Sequence, residues 1–564
     1  MEYYLKNDQT ERKIAYFSLE IGLKPEMPIY AGGLGILAGD TIKTFADKGV
    51  PVVAVTLLNE KGYFHQEIDN EGNQKEFPVN WKKEEVMKLL PNKVIVRLDD
   101  RDITIQAWVH EVKGVKGYIV PVILLDTNLE TNKEEDRLLT SYLYGGDRKY
   151  RLMQEAVLGI GGVRMLKSLG HDHIEKYHMN EGHSALLTLE LLNRDGVNLE
   201  DVREMCVFTT HTPVPAGHDS FDFELAKNVL KDFINLEELR HDNIIDSEGK
   251  LNMTYLALYH SNYVNGVAKR HGEVSRKMFP GYSVDAITNG VHPVTWVSDE
   301  MAKLFDKHIP GWRTDSFSLR YALSISSEEI WNAHYEAKKK LIDFVNERTK
   351  IGMDPEILTI GFARRAATYK RADLIFRDKE RLKKIYDSVG KFQLIFAGKA
   401  HPNDSEGKEL IKKIWNDIKE LQNHIKIVYL ENYEMFLAKL LTSGCDVWLN
   451  TPKRPREASG TSGMKASLNG VLNFSVLDGW WLEGHIEDLT GWSIGPRPKD
   501  VEEEGDENKD IEDLYNKLEK KVIPTYYNNR DKWKSMMAHS IAINGSFFNT
   551  QRMVSQYVIN AYIK

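Results

Sequence analysis

Cysteine is almost missing: Cys206 and Cys445 are the only two in 564 residues, and they stand far apart. Neither a disulfide framework nor a multi-cysteine metal site can be built from them, which points to a reducing compartment. Long apolar runs are absent as well, since nothing approaches the ~20 consecutive residues that span a bilayer. The first residues carry charge at Glu2, Lys6, Asp8, Glu11, Arg12 and Lys13, where a secretory signal needs an apolar stretch. The expected location is the cytoplasm, with no membrane partner. Positive charge is not in excess either. Acidic residues outnumber basic ones by 83 to 75, a net charge of −8, so no global electrostatic reason exists to expect nucleic acid. No fixed-period repeat is present, nor is a Gly-x-Ser-x-Gly nucleophile elbow. His211, His218 and His292 sit in loops after strand candidates. Without His-Glu-x-x-His spacing such histidines are more often hydrogen-bonding or structural, and no metal is expected.

What the chain does have is core-forming material, 42% apolar residues, at a length too great for one hydrophobic core. It should be multidomain. From Ile14 to Leu58 a short apolar strand, a glycine-rich turn (residues 31–40), a helical stretch and the β-branched run Val50–Leu58 form a β-turn-α-β unit. Strand candidates recur at Tyr118–Leu125, Met205–Thr210 and Val284–Ile287, beside helical stretches at Arg151–Leu169 and Ala185–Leu192. A second alternating series places strands at Leu358–Phe362, Phe392–Ala397, Ile425–Leu430, Val447–Asn450 and Val471–Val476. The pattern is α/β with two doubly wound sheets. The turn-rich Asn289-Gly-Val-His-Pro293 puts a boundary near residue 292, and the acidic run Val501–Asp513 reads as a solvated loop.

Three stretches could carry chemistry. In Glu457-Ala-Ser-Gly-Thr-Ser-Gly-Met-Lys465 the small residues leave the backbone open, and a helix starting there would aim free N–H groups at an anion. Lys465, four residues past Thr461, falls one helical turn further along the same face. The residues alone also allow an ordinary Gly-Ser turn followed by a solvated lysine. Arg364-Arg365-Ala-Ala-Thr-Tyr-Lys370-Arg371 follows a strand candidate directly, where ligands of open α/β sheets bind, so either a phosphate pocket or a basic surface results. The glycine-rich turn at 31–40 lacks the Gly-x-Gly-x-x-Gly spacing of a dinucleotide site. A glycosidase would need two carboxylates across the bond, and Glu457 has no evident partner.

These motifs, in this order, resemble the glycogen/maltodextrin phosphorylase family in its short prokaryotic form. The landmarks are Ser18-Leu-Glu20, Gly32-Gly-Leu-Gly35, Tyr150-Arg-Leu-Met-Gln-Glu155, Thr210-His211-Thr212, Thr288-Asn-Gly290 with Trp296, Tyr369-Lys370-Arg371, Gly398-Lys-Ala400 with Pro402, Leu430-Glu-Asn-Tyr433, and Glu457 through Lys465. The resemblance implies the GT-B arrangement: a Rossmann-like domain over 1–292, another over 293–540 facing it across a cleft, and a C-terminal helix, 541–564, packing back on the first. It implies retaining phosphorolysis of α-1,4-glucan to glucose 1-phosphate with pyridoxal 5′-phosphate as cofactor.

By resemblance Lys465 links the cofactor covalently, Thr461 and Ser462 with their backbone amides hold its phosphate, and Tyr433 and Arg364 lie beside it. Arg365 and Lys370 match groups that bind substrate phosphate, approached from the first domain by the amides of Gly33 and Leu34. His211, Asn289, Glu457, Ser459 and Gly460 match groups that hold the glucosyl unit. Two phosphates brought together need cations and helix-end dipoles to offset their repulsion. A proton then passes through the cofactor phosphate and inorganic phosphate to the glycosidic oxygen. The implied partners are an α-glucan (glycogen, starch or maltodextrin) and inorganic phosphate, with a homodimer also in keeping with the family.

Two departures stand out: Ile36 where long forms carry Arg, and Gly463 where they carry Asn. Asp478-Gly-Trp-Trp-Leu-Glu483 is a third. Its tryptophans are expected either to line the cleft and stack on a sugar, or to form a buried pair. With little sequence before the first strand, control through an N-terminal arm, by phosphorylation or nucleotide effectors, is not expected. The rival functions are a GT-B glycosyltransferase using a sugar nucleotide, which needs no Lys465 adduct, and a non-catalytic glucan-binding protein.

Overall fold

The computed structural model describes residues 11–214, 217–233, 239, 244–501 and 503–563. The N-terminal charges at Glu2, Lys6 and Asp8, and Glu502 of the acidic run, lie outside that set. Two large sheets organise the chain. The first has nine strands in the order Asp285–Ala286, Tyr263–Gly266, Cys206–Thr209, Lys176–Asn180, Ile14–Phe17, Val52–Leu57, Ile119–Asp126, Arg101–Lys113, Lys88–Leu98. All pairings are parallel as far as Ile119–Asp126, and the last two are antiparallel. The central strands are buried along their whole length, as Val52–Leu57 is, because helices cover both faces and the sequence there is continuously apolar.

The antiparallel extension is a departure from the sequence expectation. Lys88–Leu98 and Arg101–Lys113 alternate buried and exposed side chains and meet at Asp99-Asp100, both with positive φ of 52° and 61°. That is the backbone of a two-residue hairpin turn. Polar alternation without an Asn-Gly or Asp-Gly signal hid it.

The second sheet has six parallel strands ordered Ile427–Leu430, Phe392–Ala397, Leu358–Ala363, Val447–Asn450, Leu472–Val476, Gly491–Ile494. Numbered along this half of the chain, the order is 3-2-1-4-5-6, with a topological switch point between the first and fourth strands. The first sheet has the same kind of reversal between Ile14–Phe17 and Lys176–Asn180. Crevices at such points are where open α/β sheets bind ligands.

Two peripheral elements tie the halves together. The small hairpin His65–Ile68/Gln74–Phe77 reaches loops of the second sheet. There the backbone N–H of Gln66 donates to Asn432 Oδ1 at 3.2 Å, Asn432 N–H returns a bond to Gln66 Oε1 at 2.9 Å, and Gln74 exchanges two bonds with Ala400, each 2.9 Å. At the other end of the chain, the helix Thr550–Tyr557 and its continuation Val558–Tyr562 lie on the first sheet. Tyr562 Oη meets His178 Nδ1 at 2.6 Å, and Asn265 Nδ2 donates to Tyr557 Oη at 3.0 Å.

One expectation fails here for a physical reason, and one open alternative is decided. Within the acidic run, Glu507–Lys517 is a helix rather than a solvated loop. Asp510 is buried on its inner face, where Arg371 Nη2 lies 2.7 Å and Arg454 Nη2 3.3 Å away. Trp480 and Trp481 form a buried pair, 3% and 1% exposed, their ring centroids 5.1 Å apart and Trp480 packed edge-on against Phe548. Neither lines the large cavity between the sheets' loops, since the apolar interior beneath the Glu457–Lys465 loop takes both rings.

Candidate active site

One cavity of about 920 Å³ collects the loops that leave the carboxyl ends of both sheets. From the first half come Glu20, residues 30–34, Ile36 and Leu37 after Ile14–Phe17, Glu181 and His183 after Lys176–Asn180, His211 after Cys206–Thr209, and Asn289 after Asp285–Ala286. From the second come Arg364, Arg365 and Lys370 after Leu358–Ala363, Tyr433 after Ile427–Leu430, and residues 456–462 with Lys465 after Val447–Asn450. Every site residue anticipated from the sequence, including Gly33, Leu34, Ser459, Gly460, Thr461 and Ser462, is on this wall. A common address at strand carboxyl ends is what brings residues hundreds of positions apart together.

Lys465 is carried by the helix Ser462–Leu468, which starts after Thr461. Its side chain is buried, 6% exposed, and Nζ stands 3.5 Å from the centre of the Trp296 ring. Among the described residues no carboxylate is within ion-pair reach of it. Burial pushes its pKa down to about 8, against the opposing pull of Asp40. Trp296 is fixed in turn by its indole N–H donating to Asp40 Oδ2 at 2.7 Å. A desolvated amine in such a setting is available in neutral form near physiological pH, the condition for condensing with an aldehyde.

Around it the second half contributes six cationic side chains to the wall, Arg364, Arg365, Lys370, Lys399, Arg456 and Lys465, against two carboxylates, Glu434 and Glu457. Glu457 is clamped by two of them, with Arg364 Nη2 at 2.7 Å and Lys370 Nζ at 2.5 Å from its Oε2. Burial alone would raise its pKa; Arg364 and Lys370 outweigh that and hold it at about 2. Asp478 supports the same loop by accepting the Glu457 N–H at 2.9 Å. Its burial beside the Glu457 charge pushes its pKa up to about 7, although these backbone bonds oppose the rise.

Several side chains have committed hydroxyls. Trp448 Nε1 donates to Ser462 Oγ at 3.0 Å, and Ser459 Oγ donates to Gly460 O at 3.1 Å. Asn289, by contrast, has its Oδ1 buried with no partner among the described residues, an orphan acceptor of the kind a bound hydroxyl satisfies.

Gly33 and Leu34 open the helix Gly33–Lys48, whose first-turn N–H groups have no intrahelical acceptor. These amides were legible in the sequence, but the group that aims them was not. Glu20 Oε2 accepts the N–H groups of Ala31 and Gly32 at 2.5 and 3.2 Å, while its Oε1 accepts Tyr144 Oη at 2.8 Å. Asn180 and Glu181 were missed too, because the strand before them went unrecognised. The departure at Ile36 places an apolar side chain on the cavity wall, 8% exposed. His292 belongs to the scaffold, with Nε2 2.8 Å from Asp47 Oδ2 and Nδ1 2.7 Å from Thr295 Oγ1.

α/β sheets that pool strand-end loops into one cavity, with a cation-rich wall around a neutralisable lysine, suit an enzyme of group transfer to or from an anion. The chain belongs to the carbohydrate phosphorylase family, whose model matches residues 218–519, and it is an enzyme of glycosyl transfer. Its relatives include the maltodextrin phosphorylase of Thermococcus litoralis, 43% identical over 98% of this chain and 71% of that one. The glycogen phosphorylase of Aquifex aeolicus is 38% identical over 100% and 88% of the two chains, and that of Mycobacterium tuberculosis 36% over 97% and 70%. Among the described residues no helix is long and apolar enough to cross a membrane.

Proposed function

We propose that this chain phosphorolyses α-1,4-linked glucan, maltodextrin or glycogen, to glucose 1-phosphate with retention of configuration, using pyridoxal 5′-phosphate held by Lys465. The observation that carries the reading is the buried Lys465, with no carboxylate in ion-pair reach among the described residues, on the part of the wall from the second half of the chain, where six cations face two carboxylates. Two Rossmann-like domains, 1–292 and 293–540, would face each other across the cavity in the GT-B manner, with 541–564 returning to the first. When bound, the cofactor supplies a phosphate that exchanges a proton with the substrate phosphate.

The chain's own residues do the rest. Thr461 and the first-turn amides of Ser462–Leu468 receive the cofactor phosphate, and Tyr433 flanks the ring. Arg365 and Lys370 offset the repulsion between two phosphates, with Arg364 alongside; in a low-dielectric cavity such fixed cations act far more strongly than in water. Lys370 shares its charge with Glu457, so Glu457 stays ionised and accepts sugar hydroxyls. The amides of Gly33 and Leu34 close the phosphate site from the opposite wall. Asn289, Ser459, Gly460 and His211 orient the glucosyl unit, and burial excludes the water that would otherwise hydrolyse it.

The test is incubation of the purified protein with maltodextrin and inorganic phosphate. Glucose 1-phosphate should appear, and Lys465→Ala should abolish both its formation and the cofactor absorbance. Release of free glucose, or turnover only when a sugar nucleotide is supplied, would reject the reading in favour of a hydrolase or a nucleotide-dependent transferase.

A further inference from the structure

The switch point of the first sheet is bounded by Ser18, after Ile14–Phe17, and by Asn180 with Glu181, at the end of Lys176–Asn180. A hydrogen-bond chain with only one possible direction crosses it. Ser18 Oγ donates to the carbonyl of Glu20 at 2.8 Å, and a carbonyl oxygen can only accept. The Ser18 oxygen is therefore an acceptor toward its other neighbour, Asn180 Nδ2, at 3.1 Å. That orientation of the amide turns Asn180 Oδ1 to His211 Nε2 at 2.7 Å. Oδ1 has no proton to give, so the proton in this last bond belongs to Nε2.

Glu181 grips the other side of the same residue. Its Oε2 accepts the backbone N–H of His211 at 2.7 Å and Thr212 Oγ1 at 3.0 Å. To do so Glu181 adopts φ 79° and ψ 164°, a region open essentially to glycine alone, and non-glycine residues kept there cluster at functional sites. We propose that Ser18, Asn180 and Glu181 are positioning residues that hold His211 as its Nε2–H tautomer, leaving Nδ1 as an acceptor for a hydroxyl of the glucosyl unit. This rests on His211 being a sugar contact, as set out above.

The surroundings keep the ring neutral. Burial pushes the His211 pKa down to about 3, and the nearby His271, His178 and His183 add to the fall. Those three are themselves held down by burial, to about 4, 3 and 3. The Glu181 carboxylate faces the main chain of His211. A neutral imidazole protonated at Nε2 has a bare Nδ1, so it recognises an O–H and rejects an acceptor in the same place.

Nitrogen-15 spectra of the full-length holoenzyme, with the His211 signals assigned by their loss in His211→Gln, should show one neutral Nε2–H tautomer from pH 5 to 8. Asn180→Asp places a carboxylate against Nε2 and should raise the His211 midpoint by about one to two pH units or more. Below that midpoint Nδ1 carries a proton and cannot accept. Relative to wild type, and at pH values where both remain folded, the kcat/KM for maltodextrin phosphorolysis should then fall as the pH drops toward that midpoint and recover at high pH, where Nδ1 is bare again. Should Asn180→Asp not fold, Ser18→Ala serves, since it frees the amide to flip and should split the single tautomer into a mixture. A proton on Nδ1 in the wild type, a charged ring at pH 6, or a loss in Asn180→Asp that does not vary with pH would overturn the proposal. If the wild type releases no glucose 1-phosphate, the functional reading fails on its own, and the nitrogen spectra still decide the tautomer.

Discussion

At the scale of single residues, Gly463 and Trp480 explain each other. A Cβ at Gly463 would lie 2.3 Å from Asn473 Oδ1 and 2.8 Å from Trp480 Cζ2, so the Asn473 carboxamide and the indole under the Glu457–Lys465 loop together leave no room for the Asn expected of long forms. Gly463→Asn should cost about 1–3 kcal/mol through overpacking. In a double-mutant cycle with Trp480→Phe, thermal denaturation should show that the two losses are coupled; additive losses would reject the account. The motif was legible because small residues before a lysine are a local pattern. Its indole floor was not, because nothing local distinguishes a tryptophan facing a sugar from one facing a core.

Elements gain meaning from what they pack against. The run Val501–Asp513 looks like a solvated charge block, yet the helix Glu507–Lys517 turns Asp510 inward to Arg371 and Arg454, which neighbour the cavity residues Lys370 and Arg456 in the chain. Removing one member of a buried ion pair leaves the other charge uncompensated. Asp510→Ala should therefore lower unfolding free energy by about 3–5 kcal/mol, read from the urea midpoint, and a loss below about 1 kcal/mol would show that the pairing is dispensable. The parallel strands were readable as apolar runs, for instance Phe392–Ala397 and Val447–Asn450, which match the observed bounds. The hairpin His65–Ile68/Gln74–Phe77 was not, since its bonding partners, Asn432 and Ala400, belong to the other half of the chain.

For the whole molecule, four buried histidines predict acid sensitivity. His178, His183 and His211 are held at about 3, and His271 at about 4, chiefly by burial. Between those values and the ordinary imidazole pKa near 6.5 the unfolded chain binds protons that the folded one refuses, so stability rises with pH through this window and levels off above it. Each such histidine contributes a slope of up to about 1.4 kcal/mol per pH unit. The melting temperature should be nearly constant from pH 7 to 8 and fall steeply from pH 6 to 4.5; a flat profile across the lower range would contradict the buried neutral state. The sequence by itself determined the α/β class, the family, and the motif residues that reach the cavity, because apolar periodicity and short motifs are properties of neighbours along the chain. Only the tertiary structure decided the two switch points that gather those residues, the inward turn of Asp510 and the two tryptophans, and the chain from Ser18 through Asn180 to His211. Hydrogen-bond direction and burial depend on partners well separated in the chain, 162 residues apart for Ser18 and Asn180, and a linear pattern contains neither.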